Sequence, residues 1–219
     1  AGAFTLTVNV TDGTNPIEGA NIVITTLNST TDEFANAIED VTGLTTDENG
    51  QLVVPNMKVM KNGEPGYMYQ IIASKEFYND GYENIVNYGN PPANGDNVEK
   101  TITMQMVAPQ NITSVKEYYF VGEDVVLTWE APDFNTRAFL GYNVYQITNN
   151  GEDETKLNEE PLTETSYTIT GLEYGSYSFG VSAVYDEGES SYQTTFVKVT
   201  GYSEITGFVK DDNEEPIKG

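Results

Sequence analysis

The sequence predicts an all-β protein: two tandem β-sandwich modules followed by the first strand of a third. Three observations carry this. The aromatic set is 15 Tyr and 9 Phe with one Trp, and together with abundant Thr and Val this suits half-buried pleated strands. Short stretches alternate apolar and polar residues at period 2, and no long Leu/Ala/Glu/Lys stretch shows a helical period. Gly, Asp, Asn and Pro punctuate these stretches as turns require. With 219 residues, the chain accommodates one large domain or two ordinary ones.

The first strand spans Phe4 to Thr11, with Phe4, Leu6, Val8 and Val10 on one face. Asp12 to Pro16 is turn chemistry, and a second strand follows over Ala20 to Thr26. Leu27 to Thr42 is less regular, and Asp32 to Ile38 is expected as a short helix in a loop. Thr45 to Gly50 leads through a turn into a strand at Gln51 to Pro55. Tyr67 to Ala73, Tyr82 to Val86 and Lys100 to Val107 complete a set of about seven strands in about 105 residues, a sandwich by count.

Ala108-Pro109 breaks this pattern, which then restarts. Strands are predicted over Asn111 to Val115, Asp124 to Glu130, Leu140 to Ile147, Thr165 to Thr170, Ser176 to Tyr185 and Tyr192 to Val199. The predicted domains are residues 1–107, 108–201 and a truncated 202–219. The last rests on a repeat. Pro216-Ile217-Lys218-Gly219 echoes Pro16-Ile17-Glu18-Gly19, and each follows an alternating strand, Ile205 to Val209 or Thr5 to Val10. Gly219 is accordingly expected to be a cut through an array of modules rather than the end of a protein.

Charge and composition exclude whole classes of function. There are 34 acidic residues against 10 basic ones, a formal charge of −24. Such a field repels phosphate backbones and anionic headgroups, which argues against nucleic acid and against membrane surfaces. No apolar run has transmembrane length, and an export signal is expected to have been removed or to lie upstream of Ala1. The chain has no His and no Cys. That removes Ser-His-Asp and Cys-His nucleophiles, His-based zinc sites and disulfides together. A carboxylate-pair glycosidase needs no His but needs a deep cleft, which two small sandwiches do not readily form. The chain is expected not to be an enzyme.

Two family resemblances follow from longer motifs. Asp12-Gly13-Thr14-Asn15-Pro16-Ile17-Glu18-Gly19-Ala20, with Thr46-Asp47-Glu48-Asn49-Gly50, resembles a carboxypeptidase regulatory-like module, which implies a transthyretin-like sandwich over residues 4–107. Here Pro16 sets a turn, Gly19 is expected to relieve crowding, and Asp47 to Gly50 closes a hairpin. The Leu27 to Thr42 connection is longer than that family's usual one. Residues 109–201 resemble a fibronectin type III domain. The matching segments are Val125 to Pro132, Gly141 to Tyr145, Tyr167 to Leu172 and Gly175 to Val184. The resemblance implies a buried Trp129 on the second strand of that module, Tyr145 as its core partner, and a tyrosine corner from Leu172 and Tyr177. Tyr177 falls one residue earlier than in animal domains. The wording of these segments is similar to modules beside peptidase and hemagglutinin domains in Bacteroidetes surface proteins. A Cys-free exported bacterial protein fits this picture, with an extracellular or cell-surface location and a monomeric state expected.

Candidate sites are few. No cofactor is implied. Structural Ca²⁺ is the one metal option, since oxygen-rich turns hold Asp47 and Asn49, and Asp211 and Asn213, though without the spacing of a twelve-residue calcium loop. For ligands, Tyr78, Tyr82 and Tyr88 lie in an aromatic-rich stretch whose rings could stack on a sugar or anchor a protein. The sole arginine, Arg137, precedes Ala138, so no Arg-Gly-Asp motif exists. A Lys–Asn isopeptide bond, known in adhesin relatives of the first module, needs a lysine on the first strand, and none occurs before Lys58. The expected role is a spacer or partner-binding pair of modules that meets a protein or glycan at the cell surface. The alternatives are a carbohydrate-binding accessory module of an exported glycosidase and an accessory region beside a secreted peptidase.

Overall fold

The computed structural model describes residues 2–28, 33–36, 43–59, 68–86, 90–132, 139–148, 151–204, 207 and 210, with 27, 28 and 33–36 as backbone alone. The described residues are almost entirely strand, and no α-helix occurs among them. They divide into two compact units: Ala1–Val107 with Gly188–Ser191, and Ala108–Glu187 with Tyr192–Gly219.

The first unit contains β1 (Ala3–Thr11), β2 (Asn21–Asn28), β3 (Glu33–Asn36), β4 (Gln51–Lys58), β5 (Met68–Ser74), β6 (Gly81–Ile85) and β7 (Asn97–Thr103). One sheet runs β4-β1-β7 and the other β3-β2-β5-β6. The period-2 reading of β1 is matched residue for residue: Phe4, Leu6, Val8 and Val10 are buried while their neighbours are half-exposed. They meet Ile22, Ile24, Ile71 and Ile102 in one apolar core. β1 pairs antiparallel with β4 and parallel with β7. A register shift opposite Thr5 accommodates Pro55 and the positive-φ Asn56, since a bulge on an edge strand is where a residue without an N–H is tolerated.

The segment expected as a short helix differs. Residues 33–36 form β3 and pair antiparallel with Thr25–Asn28. The free edge of β2 there offers backbone partners that an isolated turn of helix, with its high nucleation cost, cannot match.

The second unit contains β8 (Gln110–Ser114), β9 (Tyr118–Phe120), β10 (Val125–Glu130), β11 (Phe139–Thr148), β12 (Asp153–Lys156), β13 (Ser166–Ile169), β14 (Gly175–Tyr185) and β16 (Gln193–Thr200), while β15 (Gly188–Glu189) falls with the first unit. One sheet runs β13-β10-β8, the other β12-β11-β14-β16-β9. Their inner faces meet over Leu127, Trp129, Tyr142, Val144, Phe179, Val181 and Val197. Trp129 is buried on β10 as expected, but its ring partner is Tyr142, edge-on at 5.2 Å. Tyr145 points to the other face of β11 and is only half-buried. An odd-numbered displacement along a strand reverses the face. Tyr177 does form the corner: its hydroxyl donates to the Glu173 carbonyl at 3.0 Å, and Leu172 packs on the core beside it. Buried Asn158 holds the return from β12, accepting from Val144 N–H at 2.7 Å and donating to the Glu160 carbonyl at 2.8 Å.

Candidate functional site

Of the seven residues picked out in the sequence, Tyr88, Asp211 and Asn213 lie outside the described residues, as does the predicted strand Ile205 to Val209 apart from Gly207. Tyr82 is on β6 and 69% exposed, whereas Tyr78 packs against the core of its unit. Lys75 sits 5.9 Å from the centre of the Tyr78 ring. One ring thus faces water and the other serves packing.

Asp47 and Asn49 belong to a turn in which one oxygen of the Asp47 carboxylate closes the backbone. Asp47 Oδ1 accepts from the N–H groups of Asn49 at 2.9 Å and Gln51 at 2.8 Å. Thr46 beside it is buried, accepts from Ala20 N–H at 2.9 Å and donates to the Ile17 carbonyl at 2.7 Å. Gly50 has φ 69°, and a Cβ there would meet the Val10 carbonyl oxygen at 2.5 Å. Gly19 has φ 70° with nothing near a Cβ, so it is kept for its left-handed backbone and not for the crowding expected of it. Among the described residues, no group of three or more carboxylates comes together to hold a metal ion.

The site that the sequence reading missed lies on the outer face of the larger sheet of the second unit. Along β14, large residues Tyr177, Phe179 and Val181 turn inward, leaving Ser176, Ser178 and Gly180 outward. The register sets Ile147, Ser178 and Phe196 in one cross-strand row, Tyr145, Gly180 and Thr194 in the next, and Ser176 with Lys198 and Tyr118 in the third. Small residues on the middle strand and larger ones on its neighbours make a groove. Its volume is about 650 Å³, and its lining includes Ile147, Ser176, Ser178, Tyr192, Thr194 and Phe196.

Gly180 is required by this arrangement. A Cβ on it would approach Tyr192 Cδ2 at 2.8 Å and Ile147 Cδ1 at 3.0 Å. The Tyr192 ring therefore lies directly over the floor, with the Tyr145 ring 6.0 Å from it. Phe196 is 78% exposed although it sits within an internal strand. Burying such a ring is worth about 2–3 kcal/mol. The aromatic character continues beyond the groove, where Phe120 stacks on Tyr202 at 4.7 Å and meets Tyr118 edge-on at 6.2 Å.

The charges around the groove are arranged unevenly. Lys198 stands two residues beyond Phe196 on the same face, and Lys156 lies opposite Tyr145 on β12. Lys156 donates to the Glu159 carbonyl at 3.5 Å. Among the described residues neither lysine reaches a carboxylate, whereas Lys100 pairs with Glu83 at 3.3 Å and Lys116 with Glu123 at 2.9 Å. The Phe120 N–H and then Lys116 hold the Glu123 carboxyl below its ordinary range. Burial pushes the Tyr142 and Tyr185 phenols above theirs, since desolvation disfavours the phenolate.

Residues 107–198 match the fibronectin type III domain family, and that β-sandwich domain is present in the second unit. Similar solved structures include an Fn3-like protein from Clostridium thermocellum, 24% identical, covering 44% of this chain and 96% of its own, with a TM-score of 0.34. The fn3 domain of the human collagen alpha-1(XX) chain is 20% identical over 45% of this chain and 90% of its own, with a TM-score of 0.35. The kinase region of twitchin from C. elegans is 21% identical over 49% of this chain and 20% of its own, with a TM-score of 0.34. No curated protein matches the chain. Domains of this kind are generally non-catalytic structural or binding modules and are typical of extracellular proteins. Among the described residues no helix is long and apolar enough to cross a membrane.

Proposed function

We propose that the chain is a non-catalytic adhesion and spacer region of a larger exported bacterial surface protein, which meets its partner through the outer face of β11, β14 and β16. The observation that carries this is Phe196, exposed on an internal strand beside a groove. Aromatic side chains at a groove centre are the residues that dominate protein interfaces, and an exposed apolar patch bordered by polar residues marks a site of contact. The module organisation that goes with it is a regulatory-like sandwich over 1–107, a type III module over 108–201 and a second regulatory-like repeat beginning at 202. Bacteroidetes surface proteins are the setting that its wording suits.

The reading is tested with beads coated with the chain. Wild-type beads should adhere saturably to bacterial or mammalian cell surfaces, and Phe196→Asp beads about ten-fold less, a 1.4 kcal/mol difference. Equal adhesion by both would remove this face from the role. A second reading has one observation in its favour: the Tyr192 ring shares the groove with Ser176, Ser178 and Thr194, a lining that suits a sugar ring as well as a side chain. Saturable glycan-array binding that is lost in Tyr192→Ala would establish a carbohydrate-binding accessory module instead.

A further inference from the structure

We propose that the groove takes an extended peptide with an apolar side chain at its middle and a carboxylate towards each end. This names the partner of the face already assigned to binding and rests on that assignment. The first argument is charge complementarity. The chain carries 34 acidic residues and 10 basic ones, so carboxylates are abundant enough to neutralise its lysines. Yet among the described residues Lys156 and Lys198, both on the groove face, reach none. Ammonium groups bordering apolar surface fit an acidic, amphipathic partner.

The second argument is geometry. Lys156 stands beside Tyr145 and Lys198 beside Ser176, diagonally opposite across the groove. Three strand spacings one way and four residues of rise the other put their backbones about 20 Å apart. An extended peptide covers that span in about six residues. Its centre then lies over Ser178, between Ile147 and Phe196, where an apolar side chain would fill the groove. The hydroxyls of Ser176, Ser178 and Thr194 remain for its backbone.

Other occupants fit less well. A neutral glycan leaves both ammonium groups without partners. Glu154 also lies at the β12 edge of this face, opposite Ile147, so carboxylates are favoured at the two lysine corners and not at that edge. At physiological salt the field of the distant acidic residues is screened beyond about 8 Å, which leaves the two local lysines in control of the ends.

The test is panning of phage-displayed random heptapeptides against the full chain, followed by titration of the enriched peptides as synthetic ligands. The expected consensus is an apolar residue flanked on both sides by Asp or Glu. Phe196→Ala should weaken these peptides about thirty-fold, and Lys156→Gln and Lys198→Gln about three-fold each. Trp129 fluorescence in urea verifies that each variant of this unit is folded. Enrichment of sequences without acidic residues, affinities indifferent to the lysine variants, or no enrichment at all would overturn the inference. If the beads still adhere through Phe196 when panning fails, the binding face stands and only the peptide is wrong. If neither binds, both readings fall.

Discussion

The outer faces of two sheets, one in each unit, are built on comparable cores and dressed in opposite ways. On β1, the residues between the buried ones are Thr5, Thr7, Asn9 and Thr11. Asn9 donates to Glu99 at 2.6 Å and accepts from Gln51 at 3.0 Å, forming a polar ladder across three strands. Val53, next to Thr7 in the register, is the exposed apolar side chain there, and single exposed apolar residues are ordinary. On β11, β14 and β16 the corresponding outward positions hold Tyr145, Ile147 and Phe196 around a floor of Ser and Gly, with two lysines at the corners that reach no carboxylate among the described residues. One face links Asn9, Glu99 and Gln51 by hydrogen bonds across its strands. The other exposes apolar surface beside its two lysines, which is what the proposed docking face requires.

The largest expected effect comes from the two phenylalanines that flank this distinction. Phe179 is fully buried, while Phe196, on the neighbouring strand, is exposed. Phe179→Ala should destabilise the second unit by about 3–5 kcal/mol, and Phe196→Ala by less than about 1 kcal/mol. The single Trp, Trp129, lies in that core, so its fluorescence during urea unfolding reports the difference directly. Equal losses would mean that Phe196 is structural and that the contrast between the faces is false.

Next in size is the clamp in the first unit. Thr46→Val keeps the volume but leaves the Ala20 N–H and the Ile17 carbonyl without the hydroxyl they share, a loss of about 1–3 kcal/mol. Calorimetry should show the first unit melting several degrees lower, at about 4–8 °C per kcal/mol. An unchanged melt would show that the Thr46–Asp47 turn is not a stability element, and metal-free roles for these residues would need rethinking.

The smallest effect is a pH dependence at Asp12. Desolvation works to raise its pKa, but the N–H groups of Asn15 and Thr14 together outweigh this and hold the carboxyl below its ordinary value. A carboxyl with a depressed folded-state pKa stabilises above the unfolded value, about 3.9, and that contribution disappears as pH falls through the folded one. Asp12→Asn should therefore flatten the melting temperature of the first unit between about pH 5 and pH 2. A profile that superimposes on wild type would show that the turn from Asp12 to Asn15 is not a proton-linked part of the fold.

Much of the fold was legible because the cores are written in period 2. Phe4, Leu6, Val8 and Val10 announce a buried face without reference to any partner. What escaped were elements with no such signal. β12 is Asp-Glu-Thr-Lys, exposed throughout, and exists because β11 offers it an edge. β9 is three aromatic residues whose pairing with β16 gives them direction. The phase of β11 was misread because a Tyr stands on each face, Tyr142 within and Tyr145 without. Only the opposing Trp129 ring distinguishes them.

By itself, the sequence determined the class of object: an all-β chain, acidic, without histidine or cysteine, carrying a fibronectin type III domain. It even held the groove floor, in the alternation of small and large residues from Ser176 to Val181. Tertiary structure alone decided that Ile147 and Phe196 stand on either side of that floor and that Lys156 and Lys198 stand at its corners. The reason is physical. Alternation along one strand is a local property of the pleat, but a surface is assembled across strands, and which residues become neighbours depends on a register that a shift of one residue would reverse.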